Sequence, residues 1–144
     1  MSIRKIQDSV YNLNNAVNNL KECISETDNS IIIDASIYRF QVTYRLVWKT
    51  LKRILEFEGF NEVETPREIL KLCFSLEWIS NEVIWLEILD INKQIIYAYT
   101  DKEVGIKIYQ SIKKIMPELL KVTEKINSKH NMNTIVANSL VSLI

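Results

Sequence analysis

Apolar residues recur in alternating steps of three and four along most of this chain, and this spacing constrains the fold more than any other feature. Three long stripes of this kind cover residues 6–24, 37–54 and 104–126. Side chains at these spacings lie on one face of an α-helix. Only two glycines and two prolines occur in 144 residues, fewer than the turns of a strand-rich protein require. The sequence therefore predicts an all-α fold.

Polar residues between the stripes predict where the helices begin and end. The segment 25–30 ends the first helix, and the second is expected to begin within residues 31–34 and stop at Gly59, which suits a left-handed C-cap. Thr65, Pro66 and Glu68 form a start signal for a short third helix, with Thr65 as cap, Pro66 at the first helical position and Glu68 completing a capping box.

The fourth and fifth helices are predicted from their caps and from their apolar content. Ser80 is expected to cap the fourth helix, while Thr100 and Glu103 resemble a capping box that starts the fifth. Pro117 is expected to kink or interrupt the fifth helix. Apolar residues cover nearly all sides of the fourth helix: Val83, Ile84, Trp85, Leu86, Ile88, Leu89, Ile91, Ile95 and Ile96. A helix of this kind is central or lies at a subunit interface.

The short connections between these helices predict an antiparallel four-helix bundle with one additional short helix. We expect residues 1–130 to form a single domain. The tail, residues 131–144, is apolar but follows a polar break, and it is a candidate for a short docking helix.

Charge and composition exclude several classes of protein. Lys plus Arg and Asp plus Glu number 18 each, so bulk electrostatics do not favour binding to RNA or DNA. Cys23, Cys73 and His130 lack metal-ligand spacing, which argues against a zinc site and favours two buried reduced thiols, and nothing points to another cofactor. No signal-peptide core and no membrane-length apolar run occurs. The expected location is the cytoplasm, with no membrane partner.

Two segments carry a resemblance to a known family. In residues 31–60 the matching positions follow the order of a motif that reads Asp, Arg-Phe, an aromatic residue and Trp-Lys: Asp34, Arg39, Phe40, Tyr44, Trp48 and Lys49. Residues 65–90 resemble the next segment, a Thr-Pro helix start followed by a Trp-containing helix. Over about residues 3–126 the chain resembles the nucleotidyltransferase substrate-binding proteins, helical bundles of the HEPN superfamily.

This resemblance implies a homodimer, a possible nucleotide ligand and a separate minimal nucleotidyltransferase as partner. The pair resembles a two-component nucleotidyltransferase or a toxin–antitoxin module. Related HEPN toxins are ribonucleases, whose motif near the end of the fourth helix reads approximately Asp-Arg-Asn, a gap, and His-x-Tyr.

The segment 90–99 departs from that ribonuclease motif. Asp90 and Asn92 match it, and Tyr99 matches its tyrosine if one residue is inserted. Ile91 stands where the arginine is expected. Tyr97, or Ile96 without the insertion, stands where the histidine is expected.

The replaced residues remove the chemistry that RNA cleavage needs. A histidine titrates near neutral pH and transfers protons, whereas a phenol with a pKa of about 10 is a poor base at pH 7. Isoleucine cannot bind a phosphate. Ile33 and Gln41 replace a further Arg and Glu of the family. We therefore expect a degenerate HEPN protein that has kept its fold and partner surface and lost ribonuclease activity.

The second helix also carries a basic face and a tryptophan that is expected in the core. Its basic face consists of residues at helical spacing: Arg45, Lys49, Lys52 and Arg53. Trp48, like Trp85 of the fourth helix, is expected in the core, where large aromatic side chains are usually found.

The sequence leaves a set of candidate ligand-binding residues and three interpretations of function. The candidates are Asp34, Arg39, Lys49, Asp90, Asn92, Tyr97 and Tyr99. The first interpretation is a non-catalytic nucleotide- or substrate-binding subunit. The alternatives are an active HEPN ribonuclease toxin with an altered site and a plain protein-interaction bundle.

Overall fold

A computed structural model describes residues 3–130, which form five α-helices and confirm the predicted all-α bundle. The helices are α1 (Ile3–Ile24), α2 (Ser30–Phe57), α3 (Pro66–Ser75), α4 (Glu82–Ala98) and α5 (Lys102–His130). The tail, residues 131–144, lies outside the described residues, so the prediction of a docking helix there stays a prediction. Within residues 3–130 no helix combines the length and apolar character needed to cross a bilayer.

Helix α2 begins slightly earlier than predicted and ends as predicted. Its N-cap is Asn29, whose side chain accepts a hydrogen bond from the Ile32 N–H at 3.0 Å. An Asn at this position satisfies an amide that the helix itself leaves unpaired, so α2 begins at Ser30, one residue before the predicted range. Gly59 has a φ of +100°, the left-handed conformation expected of it after the helix end.

The start signal of α3 is confirmed, with one difference in its second bond. The Thr65 hydroxyl accepts from the Glu68 N–H at 3.2 Å. The Glu68 carboxylate, however, accepts from the N–H of Glu64 at 3.0 Å, one residue before the cap. The two bonds together fix the angle at which the chain enters α3.

The predicted caps of α4 and α5 were each wrong by one residue. Asn81, not Ser80, caps α4 by accepting from the Ile84 N–H. Asp101, not Thr100, accepts from the N–H groups of residues 103 and 104, while Thr100 bonds back to the Tyr97 carbonyl. Two adjacent residues at each site can cap the helix, and their side chains compete for the same unpaired N–H groups of its first turn.

Pro117 does not interrupt α5, contrary to one of the two predicted outcomes. The helix is continuous from Lys102 to His130 with Pro117 inside it. The proline removes one N–H donor and leaves the carbonyl of residue 113 unpaired. Pro117 and Lys113 are both exposed, so water can satisfy that carbonyl.

The bundle is closed on three sides and open on the fourth. Helix α2 packs extensively on α1 and also on α5, α4 packs on α5, and α1 packs on α5. Helices α2 and α4 contact each other only sparsely. The apolar stripes of all the helices meet in one core, where each fully buried Leu or Ile contributes about 1.5–3 kcal/mol. The weakly packed α2–α4 side is therefore where a groove can form.

Helix α4 is only partly the central helix that its composition suggested. Trp85, Ile88, Leu89, Ile91 and Ile95 are buried in the core. Three of its apolar side chains are instead exposed: Val83, Leu86 and Ile96. Its two faces thus serve different purposes, one in the core and one at the surface.

Candidate functional site

A groove lies between α2 and α4, on the open side of the bundle. Its main cavity has a volume of about 540 Å³, within the size range of small-molecule sites. Its lining residues are Gln41, Tyr44, Arg45, Trp48, Pro66, Asn92, Ile96 and Tyr99. We call this space the α2–α4 groove.

The α2 wall of the groove is set by helical periodicity. Gln41, Tyr44, Arg45 and Trp48 follow each other at spacings of three, one and three, so they share one face. The rings of Tyr44 and Trp48 meet edge to face, with their centroids 5.7 Å apart. The Trp48 ring meets Trp85 of α4 in the same way at 5.6 Å. These aromatic contacts join α2 to α4 below the groove, and both tryptophans lie in the core as predicted.

One polar atom at the base of the groove, the indole nitrogen of Trp48, lacks a hydrogen-bond partner among the described residues. The Trp48 Nε1 is buried without a hydrogen-bond acceptor in residues 3–130. Burial raises the pKa of the Tyr44 phenol. The nearby Trp48 N–H offsets part of that rise, although its geometry is not that of a hydrogen bond. A buried N–H without an acceptor costs about 1–3 kcal/mol, so packing alone holds Trp48 in place. Tyr44 remains a neutral phenol at pH 7.

The α4 wall of the groove contains two of the predicted site residues. Asn92, Ile96 and Tyr99 follow each other at spacings of four and three, and all three line the cavity. The Tyr99 hydroxyl donates to the Gln41 side-chain oxygen at 2.8 Å. Tyr99 is the C-cap of α4, so this bond ties the end of α4 to α2 across the groove.

A second cavity continues the groove towards the start of α3. Its volume is about 310 Å³, and it shares Tyr44, Pro66 and Asn92 with the first cavity. The residues that line only this second cavity are Thr65, Arg67, Leu89 and Lys93. The two cavities therefore form one continuous groove with α3 at one end.

Two predicted site residues on α4 lie outside the groove. Asp90 and Tyr97 line neither cavity, and the Asp90 carboxylate instead accepts from the Gln94 amide at 2.6 Å. Residues two apart on a helix point about 200° away from each other. Asp90 therefore cannot share a face with Asn92, and Tyr97 cannot share one with Tyr99.

The predicted residues of α2 also lie outside the groove. The Arg39 guanidinium donates to the Asn19 carbonyl at 2.7 Å, so it links α2 to α1 on the far side. Asp34 and Lys49 are exposed and line neither cavity. The predicted basic face of α2 is divided as well, since Lys52 pairs with Glu64 at 2.8 Å and Arg53 bonds to Ser9 of α1.

The positions that replace the ribonuclease motif do not converge on one site. Ile91, where the resemblance places an arginine, is 5% exposed and lies in the core. Tyr97 is 62% exposed outside the groove, whereas Ile96 is 68% exposed and lines it. The side chain of His130 lies outside the described residues.

The described residues include no cluster of side chains suited to a metal ion. No three His, Cys, Asp or Glu residues come together within residues 3–130. Cys23 and Cys73 are buried free thiols that form no disulfide, as predicted. Burial, with a smaller contribution from the nearby Glu58 charge, raises the pKa of Cys73 to about 12. That thiol is therefore inert at neutral pH.

Sequence reasoning missed the cations of the groove. Arg45 was placed on a basic face of α2 but not in the site, and Arg67 and Lys93 were not singled out. They come from three different helices, so no single-helix pattern could group them. The available signal for Arg45 was its position next to Tyr44 and three before Trp48, within the matching motif.

The family model described as "Nucleotidyltransferase substrate binding protein like" matches residues 2–128 of this chain. The crystal structure of a protein from Thermus thermophilus is similar, with a TM-score of 0.72 and 20% sequence identity. The similarity covers 79% of this chain and 98% of that one, and it shows a shared fold. No curated protein matches this chain.

Proposed function

Since the chain belongs to the nucleotidyltransferase substrate binding protein-like family, we propose that it is the non-catalytic substrate-binding subunit of a two-component nucleotidyltransferase. The observation that carries this proposal is the α2–α4 groove, which combines aromatic walls, amides and cations. This is the composition of a site that holds a polar ring compound. We propose a nucleotide as the ligand.

The lining of the groove supports binding rather than catalysis. Neither cavity is lined by a carboxylate, a histidine or a cysteine from residues 3–130. General acid–base catalysis needs a group that exchanges a proton near neutral pH. The phenol of Tyr44 does not, because burial raises its pKa. This lining supports the proposal of a degenerate HEPN protein without ribonuclease activity.

We propose two protein partners. The first is a separate minimal nucleotidyltransferase, in a two-component or toxin–antitoxin arrangement, which would supply the catalytic groups that the groove lacks. The second is another copy of this chain. The exposed apolar residues Val83 and Leu86 of α4 and Phe74 of α3 favour a homodimer, since a partner would remove them from water. The free buried thiols are in keeping with a cytoplasmic location.

Purification of the tagged protein from its native host tests the proposed function. We expect mass spectrometry to identify a small nucleotidyltransferase in stoichiometric amount. We also expect a nucleoside triphosphate to raise the melting temperature, because a ligand that binds only the folded state stabilises it. A plain interaction bundle predicts no such rise with any nucleotide. Absence of both the enzyme and the thermal shift would refute the proposal.

A further inference from the structure

The α2–α4 groove is lined by three cations that form no ion pair within residues 3–130. Arg45 lines its first cavity, and Arg67 and Lys93 line its second. The ion pairs within residues 3–130 involve other lysines and leave these three cations unpaired. The whole chain has a formal net charge of zero. The positive charge is therefore a local property of the groove.

The groove is also polarised along its length. Ile96 and Tyr99 line only the first cavity, whereas Arg67 and Lys93 line only the second. Gln41 and Tyr99 meet at one end, and Asn92 lies two helical turns from Tyr99, about 10 Å along α4. That length is comparable with the distance from the base of a nucleotide to its phosphates. The first cavity thus holds two aromatic side chains that the second lacks, Trp48 and Tyr99, whereas the second holds two of the three cations.

Each end suits a different part of one ligand. An exposed tyrosine offers a ring on which a planar base can stack, and the amide of Asn92, which lines both cavities, can bond to the sugar. Guanidinium and ammonium groups bind phosphate oxygens through charge-assisted hydrogen bonds. The two cavities are lined by three cations and the chain has no formal net charge, so the chemistry of the groove fits a free nucleotide better than a polynucleotide.

We infer that the α2–α4 groove binds a free nucleoside phosphate in one orientation, with its base at Tyr99 and its phosphates between Arg67 and Lys93. This inference rests on the proposed function and specifies the ligand and its direction. Arg45 lines the first cavity, as Tyr99 does, so this inference gives it no contact with the outer phosphates.

Calorimetric titration of the full chain with the four ribonucleoside triphosphates and the matching nucleosides tests this orientation. We expect Arg67→Gln and Lys93→Gln each to weaken binding of the preferred triphosphate about tenfold, the scale of one lost charge-assisted contact. Affinity for the nucleoside is expected to stay unchanged. Tyr99→Ala is expected to weaken both ligands. Lys107→Gln, an exposed change on α5 outside the groove, is the matched control.

The outcomes separate this inference from the proposed function. If the triphosphate binds but Arg67→Gln and Lys93→Gln leave its affinity unchanged, the orientation is wrong while the binding function stands. If no triphosphate binds at millimolar concentration, or a short RNA binds more tightly than any nucleotide, the free-nucleotide inference is overturned. Co-purification of a nucleotidyltransferase then decides the proposed function independently. Far-ultraviolet circular dichroism confirms that each variant is folded.

Discussion

The hydroxyl of Tyr99 donates a hydrogen bond to the side-chain oxygen of Gln41 at 2.8 Å, and this bond joins α4 to α2 across the groove. Elsewhere the two helices contact each other sparsely. Both side chains are accessible to solvent, so the bond contributes little to folding. Its main effect is to fix the Tyr99 ring at one end of the groove.

Tyr99→Phe separates these two effects. The ring remains and the donor is lost, so we expect the free energy of unfolding to fall by less than about 1 kcal/mol, since this hydrogen bond is exposed. Affinity for a nucleoside triphosphate is expected to fall severalfold, because the ring is no longer held in position. Urea denaturation and calorimetric titration measure the two quantities.

Tyr97→Phe provides the matched control for Tyr99→Phe. Tyr97 is similarly exposed, at 62% against 67%, but does not line the groove. We expect neither stability nor nucleotide affinity to change. An equal loss of nucleotide affinity in both variants would show that the loss does not depend on whether the tyrosine lines the groove.

Ile91→Arg would restore the arginine that the ribonuclease motif expects, and we predict that it prevents folding. Ile91 is 5% exposed in the core of the bundle, and an unpaired buried charge costs several kcal/mol. Tyr97→Arg, on the same helix at 62% exposure, is expected to change stability by less than about 0.5 kcal/mol. Thermal melts followed by circular dichroism measure both. An Ile91→Arg protein with a wild-type melting temperature would contradict the placement of Ile91.

Particular residues show why the fold was easier to predict than the site. Residues such as Leu13 and Leu51 repeat at helical spacing and are fully buried, and this period encodes the bundle directly. Asp90 and Asn92 are close in sequence, but two residues on a helix face different ways, so proximity along the chain misled the site prediction. Arg67 and Lys93 line one cavity only because α3 and α4 pack beside each other. No local pattern relates them.

The caps illustrate a second limit of the sequence. Ser80 and Asn81, and likewise Thr100 and Asp101, are adjacent residues that can each cap a helix. The direction in which the chain enters the helix selects between them. That direction depends on tertiary packing, which local sequence does not specify.

Cys73 should be unreactive in the folded protein. Burial raises its pKa to about 12, and only a thiolate reacts rapidly with disulfide reagents. At pH 8 we expect Ellman's reagent to label no thiol in the native chain and both thiols in guanidinium chloride. Labelling of native Cys73 within minutes would mean that α3 opens readily, and Cys73→Ala identifies which thiol has reacted.

The raised pKa of Cys73 predicts how the free energy of unfolding changes at alkaline pH. The pKa of Cys73 is raised from 9.0 in the unfolded chain to about 12 in the fold, so the folded state favours the neutral thiol. The stabilisation that the neutral Cys73 thiol gives the folded state is fully present below pH 9 and is lost as pH rises from 9 to 12. Urea denaturation at pH 8, 9 and 10 should show falling stability. The fall should be smaller in Cys73→Ala, and an identical fall would contradict the assignment.

Asn14 of α1 and Asn127 of α5 form a reciprocal amide pair that should show coupling in a double-mutant cycle. Each side-chain amide donates to the other's oxygen at 2.8 Å, and both groups are partly buried. Asn127→Leu leaves the Asn14 oxygen unpaired, which costs about 1–3 kcal/mol.

Replacing both asparagines by leucine removes the unpaired groups together, so the double variant should lose less stability than the two single variants added together. The difference should exceed about 0.5 kcal/mol, as expected for residues in direct contact. Asn18→Leu, on the exposed face of α1, is the control and should combine additively with Asn127→Leu. Strict additivity of Asn14→Leu with Asn127→Leu, measured by urea denaturation, would show that this pair does not hold α1 and α5 in register.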